Sequence, residues 1–583
     1  MRTQNRVVRI NELADPSNIP VNTTLIPPDS EWKVPMVSSI RTWIYATWII
    51  CYGFTHAAHC QEWDLIITGP RIVDGTGAPW YRADIGIRQG RITAIGRLRG
   101  RPARRTIDAS HLVLSPGFLD MMGQTATPLI QTPETAANLL SQGITTINAG
   151  EGVSAAPQKP GPNKATDWRT MREYLARLDD AGMPINVVQS VGHTQVRKLV
   201  LGELDRRPTP QEMHAMEDQV REAMQAGAIG LSTALIYPPA TYATTEEIVA
   251  LAKIAGASGG RYYTHMRNEG DRLLQAIDEA LEIGKQAGTP VHIFHLKAAG
   301  RQNWGKMSQA IAKIQAARFD GQSVTADIYP YINNGLGIAA FIHPRHFTEG
   351  RERLRRRLDD AELRSTIRHE MEHVQGWENW YRHVGYDWDK VIVGGMRLKP
   401  FADHNGKSLA AIARATSQDE WDLFFELVKS GAFALPESMT EANKRMAMRQ
   451  EFISFCTDVG PAGGSRIASH PRAYGSFPRI LGRYVRDWGV LSLEAAIRRM
   501  SANAANQLMI YDRGRIAIGL AADLVLFDAE RVIDRALLAA PDRQSSGIAM
   551  VIVNGEIVWE QGKYTGRRPG RVLRGPGYSQ PSK

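Results

Sequence analysis

Residues Arg261 to Leu296 read RYYTHMRNEGDRLLQAIDEALEIGKQAGTPVHIFHL, and this stretch decides the fold. Two short apolar runs, Arg261 to His265 and Val291 to Leu296, flank a segment whose apolar residues recur at helical spacing, Leu273 to Ala287. Short strands separated by one amphipathic helix are typical of parallel β-α-β units. The stretch therefore predicts two parallel strands with a helix packed across them.

The same alternation extends through the middle of the chain in both directions. The other apolar runs of strand length are Leu112 to Asp120, Ile144 to Ala149, Ile185 to Ser190, Ile229 to Leu235, Ser323 to Tyr329 and Ile453 to Asp458. Eight strands that alternate with helices predict an α/β fold of the (β/α)8 TIM-barrel type over residues 112–510. The long interval at about 340–450 predicts a helical insertion that acts as a lid or shapes the pocket.

Short strand-like runs with glycine turns also occur at both ends of the chain. The N-terminal set lies in residues 61–111, and the C-terminal set lies in residues 511–583. Asn554-Gly555, inside the C-terminal set, is a strong hairpin signal. Because the termini of a closed domain often lie close together, the two sets predict one small β-sandwich domain beside the barrel.

Residues 1–60 are predicted to be a leader with a secretory signal. The apolar run from Thr42 to Phe54 precedes the small residues Ala57-Ala58, as in signal peptides, and is too short to span a bilayer comfortably. We therefore expect translation from Met36 and an exported protein, periplasmic or secreted, that is mature from about Gln61. The alternatives are an uncleaved membrane anchor formed by the apolar run, or a disordered leader.

The composition argues against several functional classes. The formal net charge is +10, but no aromatic-and-basic repeat or nucleic-acid motif accompanies it, so no nucleic-acid partner is expected. The three cysteines, Cys51, Cys60 and Cys456, are too few and too scattered for a disulfide framework or a cysteine-based zinc site. No stable membrane span is expected in the mature chain, and no feature of the sequence sets the oligomeric state.

Four ionisable side chains stand at the predicted carboxyl ends of barrel strands, where active sites of such barrels form. Glu151 follows the second strand, His265 ends the fifth, His295 ends the sixth and Asp458 ends the eighth. Two imidazoles and a carboxylate suit zinc with a position left for water, and a second carboxylate can take a proton from that water. The alternative is that each is a hydrogen-bonded buried residue, but four at one rim favour a metal site.

A series of short motifs runs in order along residues 64–574. The motifs are Ser115-Pro-Gly-Phe-Leu-Asp120, Gly150-Glu-Gly152, Tyr263-Thr-His-Met-Arg-Asn-Glu-Gly-Asp271, His295-Leu-Lys297, Asp327-Ile-Tyr-Pro-Tyr331, His470-Pro-Arg-Ala-Tyr-Gly475, Asp512-Arg-Gly-Arg-Ile-Ala517 and Ala522-Asp-Leu-Val-Leu-Phe-Asp528. The series resembles the amidohydrolase superfamily, and more closely its N-acyl-D-amino-acid deacylase (D-aminoacylase) branch. Each motif is weak alone, whereas the whole series is specific.

The resemblance implies a metal-dependent hydrolase that cleaves a linear amide C–N bond in an N-acylated amino acid or a related small molecule. It implies that His265 and His295 are metal ligands, with Glu151 where the deacylases commonly place a cysteine ligand. Asp458 then matches the catalytic aspartate, which takes a proton from water and delivers it to the leaving amine.

The resemblance also implies substrate contacts. Lys297 and Tyr329 match residues that hold the carboxylate and carbonyl region of the substrate. His193, at the end of the third strand, either touches the substrate or makes a structural hydrogen bond. Arg472, in a loop after the eighth strand, either touches the substrate or braces the loop.

The chain departs from the superfamily pattern directly after Asp120. The superfamily usually has a His-x-His pair there, whereas this chain has Met122 and Gln124. Methionine is a poor zinc ligand and glutamine a weak one. We therefore expect one divalent metal ion, with zinc as the expected ion.

Two alternatives stay open at the level of the sequence. The same metal and aspartate chemistry can open a lactone or a cyclic amide. Loss of the His-x-His pair is also compatible with a non-catalytic binding protein that kept the fold. The retention of Glu151, His265, His295 and Asp458 argues against the binding protein.

Overall fold

The computed structural model describes residues 62–159, 166–396, 401–463 and 470–580. The predicted leader and its apolar run lie outside these residues, so the expected signal segment stays a prediction. None of the helices in the described ranges is long and apolar enough to cross a membrane. The described residues form a barrel, an insertion above it and a β-rich part.

Eight short parallel strands form the barrel in chain order. They are Phe118–Asp120, Ile144–Ala149, Asn186–Gln189, Gly230–Ala234, Arg261–His265, Val291–Ile293, Val324–Ile328 and Ile453–Phe455. Two backbone hydrogen bonds close the remaining seams, from Ile229 N to Gln189 O (2.9 Å) and from Met121 N to Phe455 O (3.2 Å). The predicted (β/α)8 barrel is confirmed.

Amphipathic helices follow the strands and pack against them. They are Met171–Ala181, His193–Leu201, Pro210–Ala226, Thr245–Ala257, Leu273–Ala287, Lys306–Phe319, Glu441–Met448, Arg472–Arg479, Leu493–Met500 and Ala502–Gln507. Thr170 and Thr209 each begin a helix with a complete capping box, which satisfies amides of the first turn. Apart from Ala502–Gln507, which packs in a second cluster, these helices share one buried core with the barrel strands.

The run Leu112 to Asp120, predicted as one strand, forms two strands in different sheets. Val113–Pro116 belongs to the β-rich part, and Phe118–Asp120 belongs to the barrel. Gly117 separates them, and a Cβ added there would lie 2.2 Å from Oγ1 of Thr145. The prediction of a single strand was wrong because a continuous apolar run does not show where a chain passes from one sheet to another.

The chain between the seventh and eighth barrel strands builds the insertion around its own apolar core. Its longer helices are Arg351–Arg357, Ala361–His373, Leu409–Thr416 and Glu420–Ser430, with the short helix Trp380–His383. It also contains a three-stranded antiparallel sheet of Leu336–Gly337, Phe433–Pro436 and Val391–Gly394, which the predicted helical insertion lacked. These strands are too short to show an alternating pattern in the sequence.

Two sheets form the β-rich part, and both ends of the described chain contribute to it. One sheet has the order Lys563–Tyr564, Glu556–Glu560, Ile548–Val553, Leu524–Phe527, Val113–Pro116, Arg71–Ile72 and Tyr81–Arg82. The other has the order Arg91–Gly96, Asp84–Arg88, Leu65–Thr68 and Thr106–Asp108. Side chains from both sheets share one apolar core, as expected for a small sandwich.

Candidate active site and metal centre

The carboxyl ends of the barrel strands open into a cavity of about 440 Å³. Glu151, His265, His295 and Asp458 all line it, so the structure brings together the four ionisable residues singled out at predicted strand ends. His295 and Asp458 lie beyond the last residues of their strands, with φ of 34° and 55°. Such backbone conformations are uncommon outside glycine and often mark functional sites.

Glu151 stands between the two histidines. Its Oε1 lies 2.8 Å from Nδ1 of His265 and 3.0 Å from Nε2 of His295. Gly150 and Gly152 on either side have φ of 102° and 65°, which lets the chain turn sharply after the second strand. The turn aims the carboxylate across the barrel mouth at the imidazoles.

A second carboxylate lies behind the histidines. Glu269 Oε1 is 3.0 Å from Nδ1 of His295, and Glu269 Oε2 is 3.3 Å from Nε2 of His265. Each imidazole therefore has one nitrogen facing Glu151 and the other facing Glu269. Carboxylates in this outer position fix the ring orientation of metal-binding histidines.

The pKa shifts in this cluster reflect mutual charge stabilisation against burial. Burial alone would raise the pKa of Glu151, but hydrogen bonds from His265 and His295 outweigh it and hold that pKa below its usual range. Burial would lower the pKa of His265, but the carboxylates of Glu269 and Glu151 raise it to about 9. The two buried carboxylates thus favour positive charge between them. Protonated histidines supply that charge in the absence of metal, and a bound cation would supply it otherwise.

The donor set fits one zinc ion. Ligand atoms of Glu151, His265 and His295 all lie within 4.8 Å of one another. Two imidazole nitrogens and one carboxylate oxygen are donors that zinc prefers, and three protein ligands leave a fourth position open, as in catalytic zinc sites. These residues would hold the ion.

Asp458 lies beside the ligand set and is held at both oxygens. Its Oδ1 accepts from Nε2 of Gln124 at 2.7 Å, and its Oδ2 is 2.5 Å from Nη1 of Arg472. Burial raises the pKa of Asp458, while the charge of Arg472 opposes that rise. A carboxylate in this position can exchange a proton with a molecule bound at the ligand set.

Lys297, Tyr329 and Arg472 also line the cavity. The guanidinium of Arg472 lies 4.8 Å from the ring centroid of Tyr329, and Nζ of Lys297 lies 5.9 Å from it. Lys297 Nζ is also 2.5 Å from Oε1 of Glu269 and 2.6 Å from Nδ1 of His295. The structure therefore places two cations where they can hold an anionic group near the ligand set.

Comparison with known proteins gives one consistent family. The sequence profile of the Amidohydrolase family matches residues 445–559. D-aminoacylase of Alcaligenes xylosoxydans xylosoxydans is 33% identical over 88% of this chain and 98% of its own length. N-acyl-D-glutamate deacylase of the same organism is 35% identical over 88% of this chain and 97% of its own length.

A solved structure leads to the same family. It is N-acyl-D-glutamate deacylase of Bordetella bronchiseptica, in complex with zinc and a phosphonate inhibitor that mimics the tetrahedral intermediate of the reaction. The TM-score is 0.74 at 34% identity, over 88% of this chain and 100% of that one. The chain belongs to the N-acyl-D-amino-acid deacylase family of amidohydrolases.

His193 lies away from the cavity of this deacylase-family chain. Its imidazole is fully buried, and Nε2 is 2.8 Å from Oε1 of Glu247, which in turn binds Arg197 at 2.6 Å. The histidine begins the helix His193–Leu201 rather than ending a strand at the rim. Of the two roles considered for His193, its position matches the structural hydrogen bond.

Several cavity residues had no predicted role. Glu269 and Tyr237 line the cavity, and the rings of Tyr237 and His265 have centroids 5.5 Å apart. Glu269 lies in the motif that begins at Tyr263, four positions after His265, but only the turn after the strand brings it back behind the imidazoles. Leu336 and Phe433 belong to the insertion sheet, which the sequence did not reveal.

Proposed function

We propose that this protein hydrolyses the linear amide bond of N-acyl-D-amino acids. The observation that carries the proposal is the meeting of Asp458 with the ligand set Glu151, His265 and His295 in one cavity, together with the cations Lys297 and Arg472. These are the groups needed to hold an amide carbonyl, move a proton and bind a carboxylate. The D configuration is proposed from the relatives, which act on N-acyl-D-amino acids by name.

The substrate carboxylate binds at the cationic side of the cavity. The buried Nε of Arg472 has no hydrogen-bond partner within the described residues, so it is available as a donor. A carboxylate that accepts from Arg472 and Lys297 forms charge-assisted hydrogen bonds, which are about twice as strong as neutral ones. This contact fixes the amino-acid end and places the amide near Glu151.

Hydrolysis then needs activated water, carbonyl polarisation and a proton shuttle. Zinc, when bound, supplies Lewis-acid polarisation of the carbonyl and lowers the pKa of water at the site. Asp458 accepts a proton as the water oxygen forms its bond to the carbonyl carbon, and passes that proton to the amine nitrogen as the C–N bond breaks. The products are a carboxylic acid and a free amino acid.

Tyr237 is placed to stabilise the developing negative charge. Burial, then the charges of Glu151 and Glu269, raise the pKa of Tyr237 well above its usual range, so the phenol stays protonated. A protonated phenol beside the ligand set can donate to the carbonyl oxygen as that oxygen gains charge.

The test is a substrate panel run on metal-free and zinc-restored protein. The panel contains N-acetyl-D- and N-acetyl-L-amino acids, a hydantoin as cyclic amide and a small lactone, with Asp458→Asn as the matched inactive control. Zinc-dependent release of D-amino acids supports the proposal. Preference for the hydantoin or the lactone would replace it with the corresponding ring hydrolase, and binding without turnover by any preparation would indicate a binding protein.

We also propose export, with a mature chain that starts near Gln61. The support is the apolar run Thr42 to Phe54 followed by Ala57-Ala58. Mass spectrometry of the protein from its native host measures the N-terminus directly. A soluble protein inside the cell that retains residues 1–60 would contradict this proposal.

A further inference from the structure

The side chain of Gln124 lies between the carboxylates of Glu151 and Asp458, and all three residues line the cavity. Its Nε2 lies 2.6 Å from Oε2 of Glu151 and 2.7 Å from Oδ1 of Asp458. The residue has φ of 56°, an uncommon conformation outside glycine. One amide group thus joins a ligand of the metal set to the proposed acid–base residue.

Only the nitrogen end of the amide is chemically suited to this place. A side-chain amide NH2 has two hydrogens, so it can donate to both carboxylates at once, whereas its oxygen would face two negatively charged acceptors. The bridge therefore fixes the amide and both carboxylates in one arrangement.

Two carboxylate oxygens that converge from opposite sides are also what a second divalent ion would bridge. We propose that the amide of Gln124 substitutes for such an ion: it excludes a second metal and holds Asp458 in position as an acid–base group. Met122 offers no replacement ligand, because its side chain is buried in the apolar cluster below the cavity. The site is thereby restricted to one metal ion.

The bridge also keeps Asp458 from becoming a metal ligand itself. Gln124 holds Oδ1 and Arg472 lies against Oδ2, so neither oxygen is free to turn toward the ligand set without breaking a contact. Gln124 is in this sense a positioning residue that acts through Asp458. This part of the inference rests on the proposed function, whereas the exclusion of a second metal does not.

The exclusion is tested by metal content, without any substrate. Gln124→Glu keeps the shape of the side chain but replaces the donor with an acceptor that can bind metal. Gln124→Leu removes the donor and supplies no ligand, while its methyl groups still occupy the position between the two carboxylates, so a second ion stays excluded. After equilibration with graded zinc and removal of free ion, elemental analysis should give one zinc per chain for the parent protein and Gln124→Leu, and two for Gln124→Glu. A second equivalent in the parent protein, or only one in Gln124→Glu, overturns the exclusion.

The positioning role is tested by separating kcat from KM. Gln124→Leu, with one zinc per chain, should lose about ten-fold in kcat with KM near that of the parent, less than the roughly 10²-fold or more of a lost general base. A rise in KM with kcat intact would assign Gln124 to substrate binding and overturn the role. If the parent protein turned over no acylated amino acid, the metal counts would still decide the exclusion, so the two failures are distinguishable.

Discussion

Both the backbone and the side chain of Asp458 are held in place by contacts that the sequence does not reveal. It leaves the eighth strand with φ of 55°, its amide donates to Met122 O at 3.0 Å, and both carboxylate oxygens have partners. Constraints of this kind suit a group whose distance to a reacting atom must be fixed. They also make its replacement informative.

Asp458→Asn should abolish most turnover and leave the metal in place. The change keeps the shape but removes basicity, so we expect kcat to fall by about 10²–10⁴-fold. Zinc content, measured on the same preparation by elemental analysis, should stay at the level of the parent. Loss of zinc together with activity would mean that Asp458 is a ligand, and near-full activity would mean that it only braces a loop.

Lys297→Met should weaken recognition of the substrate carboxylate. Lys297 Nζ faces the cavity between Glu269 and His295, and methionine keeps the length without the charge. We expect KM to rise for an N-acyl amino acid but not for the corresponding N-acyl amino-acid amide, which lacks the carboxylate. An equal change for both substrates would reject the assigned role, and zinc content serves as the control for a disturbed site.

The residues singled out at predicted strand ends meet in one cavity, whereas the residues that support them were not predicted. Glu151, His265, His295 and Asp458 could be found because each lies at or just after the carboxyl end of a strand, and these strand ends meet at one rim. Glu269 and Gln124 lie in turns whose direction depends on the local backbone, such as the φ of 56° at Gln124, and no residue pattern gives that angle.

At the scale of elements, the insertion supplies an apolar wall to the cavity. Leu336, Trp380 and Phe433 line it, and among the described lining residues the lysine and arginine side chains are Lys297 and Arg472. Each of these cations already lies 2.5 Å from a carboxylate. The cavity therefore offers apolar contacts, rather than a spare cation, to the rest of the substrate.

The wall lies next to the cation expected to bind the carboxylate. A Cβ added at Gly335 would lie 3.0 Å from Nη2 of Arg472 and 3.0 Å from the ring of Phe433. Because the carboxylate and the side chain of an amino acid are attached to the same carbon, a carboxylate bound at Arg472 leaves the side chain within reach of Phe433. We expect neutral, apolar side chains to be preferred over acidic ones.

Phe433→Arg should shift that preference toward acidic substrates. Comparison of kcat/KM for N-acetyl-D-leucine and N-acetyl-D-glutamate in the parent, Phe433→Arg and Phe433→Leu measures the shift directly. We expect the ratio to change by about ten-fold or more in the arginine variant, equivalent to roughly 1.4 kcal/mol, and little in the leucine variant. If the parent protein preferred N-acetyl-D-glutamate, the apolar wall would not be the site that binds the substrate side chain.

Element-level prediction failed where long-range pairing decided the structure. The insertion strands Val391–Gly394 and Phe433–Pro436 pair across many residues, and neither is long enough to alternate visibly. The division at Gly117 likewise depends on the approach of Thr145 from a neighbouring strand. Runs with strong periodicity, such as Leu273–Ala287, were found with the observed bounds.

At the scale of the molecule, the chain passes directly from the β-rich part into the barrel at Gly117. Val113–Pro116 lies in the sheet that also contains Leu524–Phe527, while the following strand starts the barrel. The segment that precedes the first barrel strand is therefore paired with a segment that follows the last one. The prediction of one β-module from both ends succeeded because a closed barrel brings its own ends together.

The metal should stabilise the whole fold without being required for it. Glu151 is already hydrogen-bonded to both His265 and His295, and Glu269 supports both imidazoles, so the metal-free protein should remain folded. A ligand that binds the folded state stabilises it in proportion to the logarithm of its free concentration, about 1.4 kcal/mol for each ten-fold increase above Kd. Calorimetry in zinc buffers should therefore show a Tm that falls on chelation and rises steadily with free zinc.

The control is Glu151→Gln, which removes the charged ligand. This variant should lose most of the dependence of Tm on zinc while keeping a cooperative transition. A Tm that does not respond to zinc in the parent protein would contradict the metal centre itself, independently of any assay of activity.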